Sequence, residues 1–288
     1  MSENNQSVND SQEQQQLFDQ DLHTAVAELL STFENQKQLK VVFAAETGSR
    51  GQGFHTSQSD CDIKGFFTYT QAQYLGIAEL QESYLSEKFL INVQGKEIEV
   101  DFSFIEFRYF VEQRLCQGYE KLNIVFTSKV QYINLFEKQM FDQFVYHTLE
   151  TPKKAFFSDL ETFISRRINQ QDVECRKILN TLHCLVSLIH FIKSDKLFQY
   201  SYDLWEEIEI NPYLDQDLKI KIKEFAKLCL EKKNFSRKST IKRNSLPVWF
   251  MNLLNQYIIQ KDNNLIVYEK QEFLKIAQQM HLYAMNLQ

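Results

Sequence analysis

Glycine and proline are scarce in this sequence, and they are unevenly placed. All seven glycines fall between Gly48 and Gly118, and the stretch from Tyr119 to Gln288 has no glycine and only three prolines. Glycine marks turns and strand ends, so its absence disfavours a strand-rich fold in the second half. We therefore predict an α+β first half and an all-α second half.

Cysteine patterns and long apolar runs are also missing. The five cysteines are an odd number, and they form neither a Cys-x-x-Cys motif nor a Cys/His cluster. This argues against a disulfide framework and against a zinc site. The sequence has no basic-then-apolar leader and no run of 18 apolar residues, so we expect a cytoplasmic or nuclear protein that does not bind membranes.

Hydrophobic residues make up 43% of the chain, enough for sizeable cores, and the formal net charge is -6. An acidic chain of this kind is not a general nucleic-acid coat, although it can carry a local basic patch. No acidic residue occurs between Lys232 and Lys261. Within this stretch, residues 232–243 are predicted to form a loop, which is either simply solvated or an RNA-binding site. The basic side chains concerned are Lys232, Lys233, Arg237, Lys238, Lys242 and Arg243.

The distribution of polar and apolar residues predicts three parts. Residues 1–16 are polar and are predicted to be a disordered tail. Residues 17–150 form the α+β domain, and residues 151–288 form the helical domain. We predict strands at 41–45, 61–69, 85–93 and 96–104. Helices are predicted at 17–35, 105–115, 119–127, 131–148, 152–168, 173–192, 214–231, 248–260 and 269–287.

The stretch 41–69 carries the clearest chemical pattern. An apolar run ends in Gly48 and Ser49, and a polar connection then leads to Asp60 and Asp62 before a second apolar run. Alternate side chains of a strand share one face, so the two carboxylates are expected side by side. Two adjacent carboxylates repel unless a cation lies between them, and hard oxygen ligands suit Mg²⁺. The Gly-Ser pair is either an ordinary turn or a phosphate-binding turn.

A third acid follows in a strand with period-two alternation. Over Lys96–Phe104, apolar side chains alternate with polar ones, and Asp101 lies on the polar face with Glu97 and Glu99. Any half-buried strand shows such a face, so Asp101 alone is equally well explained as a solvent-facing residue.

Taken together, these motifs resemble the DNA polymerase β-like nucleotidyltransferase superfamily. The segments ETGSRGQGF and SDCDIKGFF are similar to the pattern E-S-G-S-R-A-W-G-F…S-D-Y-D-h-R of its stand-alone "predicted nucleotidyltransferase" branch. The resemblance is specific over residues 40–104 and extends in weaker form to about residue 193. It implies a small mixed sheet flanked by helices, followed by a helical domain.

The resemblance also implies the chemistry and its residues. Asp60, Asp62 and Asp101 would be the catalytic, metal-binding acids for two Mg²⁺ ions, and ATP is the expected donor. The acceptor would be an RNA end by preference, with a protein hydroxyl or a small molecule as alternatives. The nucleotide-binding residues implied are Gly48, Ser49, Arg50, Lys64, Arg176 and Lys177.

The chain departs from the branch pattern at three places. Gly51-Gln52 replaces an aromatic residue, and Lys64 and His183 stand where the branch has arginines. Arginine and lysine differ in bidentate phosphate recognition. An inactive nucleotidyltransferase-fold scaffold, or a subunit of a larger complex, is therefore the alternative to an enzyme.

Overall fold

The structure is a computed structural model that describes residues 3–56, 59–76, 82–114, 126–148, 158–167, 170–193, 201–235, 238–259 and 270–286. Its larger sheet consists of β1 (Lys40–Thr47), β2 (Cys61–Thr68), β3 (Tyr84–Val93), β4 (Lys96–Glu106) and β5 (Gln131–Asn134). The strand order is β3-β4-β2-β1-β5. β2 and β4 run parallel, whereas the other neighbours are antiparallel. The predicted fold class, a mixed sheet with flanking helices followed by helices, is confirmed.

The helices surround this sheet and continue beyond it. In the first half they are α1 (Glu3–Lys37), the single turn α2 (Gly48–Gly51), α3 (Gln71–Leu75), α4 (Phe107–Tyr109) and α5 (Lys138–Thr148). In the second half they are α6 (Cys175–Lys193), α7 (Leu204–Ile210), α8 (Gln216–Phe235), α9 (Val248–Ile259) and α10 (Lys270–Asn286). A two-stranded ribbon, β6 (Asp172–Glu174) and β7 (Thr240–Lys242), interrupts the second half, which is therefore not purely helical. None of the described helices is long and apolar enough to cross a membrane.

The structure differs from the predicted tail at residues 1–16, because α1 already begins at Glu3. Its later turns bury Leu22, Val26 and Leu30 against the sheet. Once such an amphipathic segment has nucleated a helix, each further residue adds a hydrogen bond at little entropic cost. Polar residues without a hydrophobic face can therefore continue the helix.

The β3–β4 hairpin follows the predicted pattern, whereas the predicted helix 131–148 is wrong at its start. At the hairpin turn Gln94 and Gly95 both have positive φ, 52° and 78°, as a two-residue hairpin turn requires. Residues Gln131–Asn134, in contrast, form an edge strand on β1, and the helix begins only at Lys138. A short apolar run does not distinguish strand from helix by periodicity.

The two halves share their hydrophobic cores. Phe54, from the loop after β1, is buried among α6, α8 and α9 of the second half. In the opposite direction, Ile276, Ala277 and Met280 of α10 are buried with Phe43 of β1. The boundary predicted at residue 150 therefore does not separate two cores.

Candidate active site

The parallel pairing of β2 and β4 sets two of the predicted acids side by side. Asp62 is the register partner of Asp101, and Cys61 is the partner of Val100. Residues in register on parallel strands share a face, so the two aspartates lie on one face while Cys61 and Val100 are buried on the other. Their metal-binding role stays a prediction, but the pairing itself is a feature of the fold.

Charges converge on Asp62. Burial raises the pKa of Asp62, and the neighbouring carboxylates of Asp60 and Asp101 raise it further, whereas Lys64 and Arg176 act in the opposite direction. Arg176 is exposed at the start of α6, and its action on Asp62 places this part of the second half near the carboxylates. Groups from three separate parts of the chain therefore act on one carboxylate.

The Gly48 turn lies directly against Asp62. Gly48 has φ +60°, and a Cβ at this position would lie 1.9 Å from Oδ2 of Asp62. The Thr47 hydroxyl donates to the carbonyl of Asp62 (3.1 Å). Within the turn, Gln52 N donates to Gly48 O (3.1 Å). Only glycine fits at position 48, because any side chain would displace the Asp62 carboxylate.

Arg50, predicted as a nucleotide contact, is used elsewhere in the structure. Its Nε pairs with Glu46, and its Nη2 pairs with Asp19 of α1 (3.0 Å). The side chain is 9% exposed. Arg50 therefore joins α1 to the end of β1, and its guanidinium is already occupied by two carboxylates.

The acids fit a hard cation by their chemistry, but they do not form a closed ligand set. Asp101 Oδ1 is buried without a hydrogen-bond partner, while Oδ2 lies 3.6 Å from Lys88 Nζ. Among the described residues, no group of three His, Cys, Asp or Glu side chains is arranged to hold a metal ion. An oxygen buried without a partner is costly, so Asp101 and its neighbour Asp62 would gain from a cation.

The other residues predicted to bind the nucleotide or RNA differ in how far their side chains are exposed. Ser49 and Lys64 are half-buried near Asp62, and Lys177 is half-buried at the start of α6. The predicted basic loop is in part helix and strand, since α8 continues to Phe235 and β7 begins at Thr240. Exposed basic side chains there are Lys232, Lys238, Lys242 and Arg243, whereas Arg237 and the side chain of Lys233 lie outside the described residues.

Contacts from the second half were missed by sequence reasoning. His183 Nε2 lies 3.0 Å from the Tyr202 carbonyl, and His183 Nδ1 lies 3.3 Å from Gln52 Nε2. A carbonyl can only accept, so His183 donates through Nε2 and accepts the Gln52 amide at Nδ1. Two of the departures from the branch pattern, Gln52 and His183, thus contact each other. Asp203-x-x-Glu206 is a helix-start signal that would have located α7 and with it Tyr202.

Comparison with known proteins found one family match. Residues 22–95, which span the later part of α1 and the strands β1, β2 and β3, match the model of the RNA repair pathway DNA polymerase beta family. A comparison with curated proteins returned no match. The match supports a nucleotidyltransferase-type function in general terms. The predicted resemblance is confirmed: over residues 22–95 the chain is similar to a polymerase β-like nucleotidyltransferase family, and its sheet and following helices are consistent with that fold.

Proposed function

We propose that the protein is a Mg²⁺-dependent nucleotidyltransferase that transfers a nucleoside monophosphate from ATP to the hydroxyl of an RNA end. The observation that carries this proposal is the register of β2 and β4, which pairs Asp62 with Asp101 against the Gly48 turn. The match of residues 22–95 to a polymerase β-like family gives the reaction class independent support.

Asp60, Asp62 and Asp101 would hold the two Mg²⁺ ions. When bound, such ions neutralise phosphate charge and make an acceptor hydroxyl more acidic. In support, burial and the neighbouring carboxylates of Asp60 and Asp101 raise the pKa of Asp62, and Asp101 keeps one buried oxygen without a hydrogen bond.

The Gly48 turn and the positively charged side chains of Lys64 and Arg176 would bind the triphosphate. The turn would offer main-chain N–H groups and the hydroxyl of Ser49 to the phosphate oxygens, while Gly48 leaves room for the Asp62 carboxylate beside it. Lys64 and Arg176 bring positive charge to the same place, since both act on Asp62. These groups would hold ATP in line for the attack and offset the negative charge of its phosphates. Positioning and charge neutralisation are the main contributions of a protein to phosphoryl transfer.

The choice of RNA as acceptor rests on the surface next to Arg176. Cys175 N, at the start of α6, donates to Ser239 O (2.9 Å). This bond fixes β7, with exposed Lys242 and the following Arg243, beside the start of α6. Positive side chains next to the donor site would attract the phosphates of an RNA strand.

The test is incorporation of radiolabelled ATP into RNA and into protein. With Asp60→Asn/Asp62→Asn we expect labelling of RNA to fall about 100-fold or more, because the metal ligands are lost. Asp217→Asn, an exposed aspartate on α8 paired with Lys221, is the matched control and should keep full activity.

Equal labelling by wild type and by the double variant would overturn catalysis by these acids. Labelling of protein instead of RNA would support the transfer reaction but would show that the acceptor is a protein and not an RNA end. ATP binding without transfer to any acceptor would favour the non-catalytic scaffold.

A further inference from the structure

Residues 202–205 of the second half lie along the loop that follows the Gly48 turn. Leu204 N donates to Gln52 O (3.0 Å), and Trp205 Nε1 donates to Gly53 O (2.6 Å). Successive loop residues are thus bound by successive residues of one segment, which fixes their relative position.

Tyr202 extends this contact to the turn itself. A Cβ on Gly51 would lie 3.0 Å from Cε1 of Tyr202, so the ring edge packs against the main chain of the turn. The ring of His183 packs edge-on against Tyr202 at 5.4 Å between centroids. Burial raises the pKa of Tyr202. The ring therefore lies between the turn and the core of α6.

A buried contact between His190 and Glu207 anchors the segment on its other side. His190 Nδ1 of α6 lies 2.5 Å from Glu207 Oε1, and Glu207 Oε2 accepts from Ser201 N (2.8 Å). Asn211 Nδ2 donates to the carbonyl of Val186 (3.1 Å). These bonds tie the middle and the C-terminal end of α7 to α6 and tie Ser201 to Glu207, so the position of Tyr202 is fixed from this side.

We propose that Tyr202 is a positioning residue of the nucleotide site. Packed on Gly51, it holds the Gly48–Gly51 turn beside Asp62 from the opposite half of the protein. The inference deepens the proposed function and rests on it for the role of the turn. Loss of the ring would let the turn move, and this would weaken nucleotide binding more than it would slow the chemical step.

The first experiment compares three variants in ATP-dependent transfer. We expect Tyr202→Ala to raise the KM for ATP about tenfold while kcat changes by less than about threefold. Tyr202→Phe keeps the ring and should stay within about twofold of wild type. Tyr257→Ala is the matched control: Tyr257 is a buried tyrosine on α9 in the same core, and its loss should lower stability without raising KM.

The second experiment measures amide hydrogen exchange of Gln52, Gly53 and Phe54, whose N–H groups bond within the turn. Tyr202→Ala should accelerate this exchange, and Tyr257→Ala should not. This readout needs no substrate, so a wild type that transfers nothing would refute the proposed function while exchange still reports the positioning role.

Unchanged KM and unchanged exchange in Tyr202→Ala would overturn the proposal. If that variant does not fold, Tyr202→Leu keeps a large apolar side chain in the core but removes the aromatic ring whose edge packs on Gly51. It should also accelerate exchange in the loop, and no acceleration would overturn the inference.

Discussion

At the scale of single residues, Gly48 and Asp62 are fitted to each other. The missing side chain of one provides the space for the carboxylate of the other, and the positive φ of Gly48 disfavours any other residue. The sequence predicted that both residues belong to one site, because the motif places them near adjacent strand ends. It did not predict that they touch, since contact depends on the pairing of β1 with β2.

Gly48→Ala should therefore damage the site as well as the backbone. We expect a loss of about 1–2 kcal/mol in unfolding free energy from the positive φ, with a strong loss of transfer activity from displacement of Asp62. Thermal unfolding and ATP transfer measure the two effects separately.

Gly95→Ala is the control for backbone strain alone. Gly95 also has a positive φ, +78°, but nothing lies within 4 Å of the position of its Cβ. Its substitution should cost similar stability and leave activity intact. Equal activity loss in both variants would show that strain, and not the contact with Asp62, is responsible.

At the scale of elements, local patterns predicted the strands and most helices but not their neighbours. The alternation in β4 placed Asp101 on a polar face. Glu97 and Glu99 share that face, so the pattern alone did not identify which of the three acids belongs to the site. Only the parallel register with β2, a contact between distant parts of the chain, selects Asp101. α7 was missed because it is short: its buried apolar face consists of Leu204 and Ile208 alone, and its packing also depends on the buried Glu207.

Glu207→Gln should test that dependence. The amide that replaces the carboxylate cannot accept from both His190 Nδ1 and Ser201 N, so a buried donor loses its acceptor and we expect a loss of about 1–3 kcal/mol in unfolding free energy. Glu209→Gln, at an exposed glutamate of the same helix paired with Lys223, should leave the unfolding midpoint close to that of wild type. Similar unfolding midpoints for both variants in denaturant would contradict a special role for the buried pair.

At the scale of the whole molecule, the glycine distribution predicted the change from sheet to helices, but not that α10 returns to the first half. Periodicity identifies the apolar face of a helix, and many surfaces can cover such a face. In the structure the face of α10 meets α5 and the aromatic residues below β1. The first half therefore completes its core with residues from the other end of the described chain.

Met280→Asp and Leu282→Asp test the buried face and the exposed face of α10 separately. Met280 is fully buried, so an aspartate there should prevent stable folding of the sheet, with loss of near-ultraviolet circular dichroism. Leu282 is 56% exposed on the same helix, and its replacement should change stability by about 0.5 kcal/mol or less. A folded, active Met280→Asp protein would show that α10 is dispensable for the first half.

The return of α10 has a consequence for biosynthesis. During translation the strands of the larger sheet are made early, while α10, which packs on one side of them, is made more than a hundred residues later. The core around Phe43 would thus remain incomplete until residues 270–286 have left the exit tunnel. Chaperone binding to stalled nascent chains should accordingly persist up to that point and fall once α10 is released.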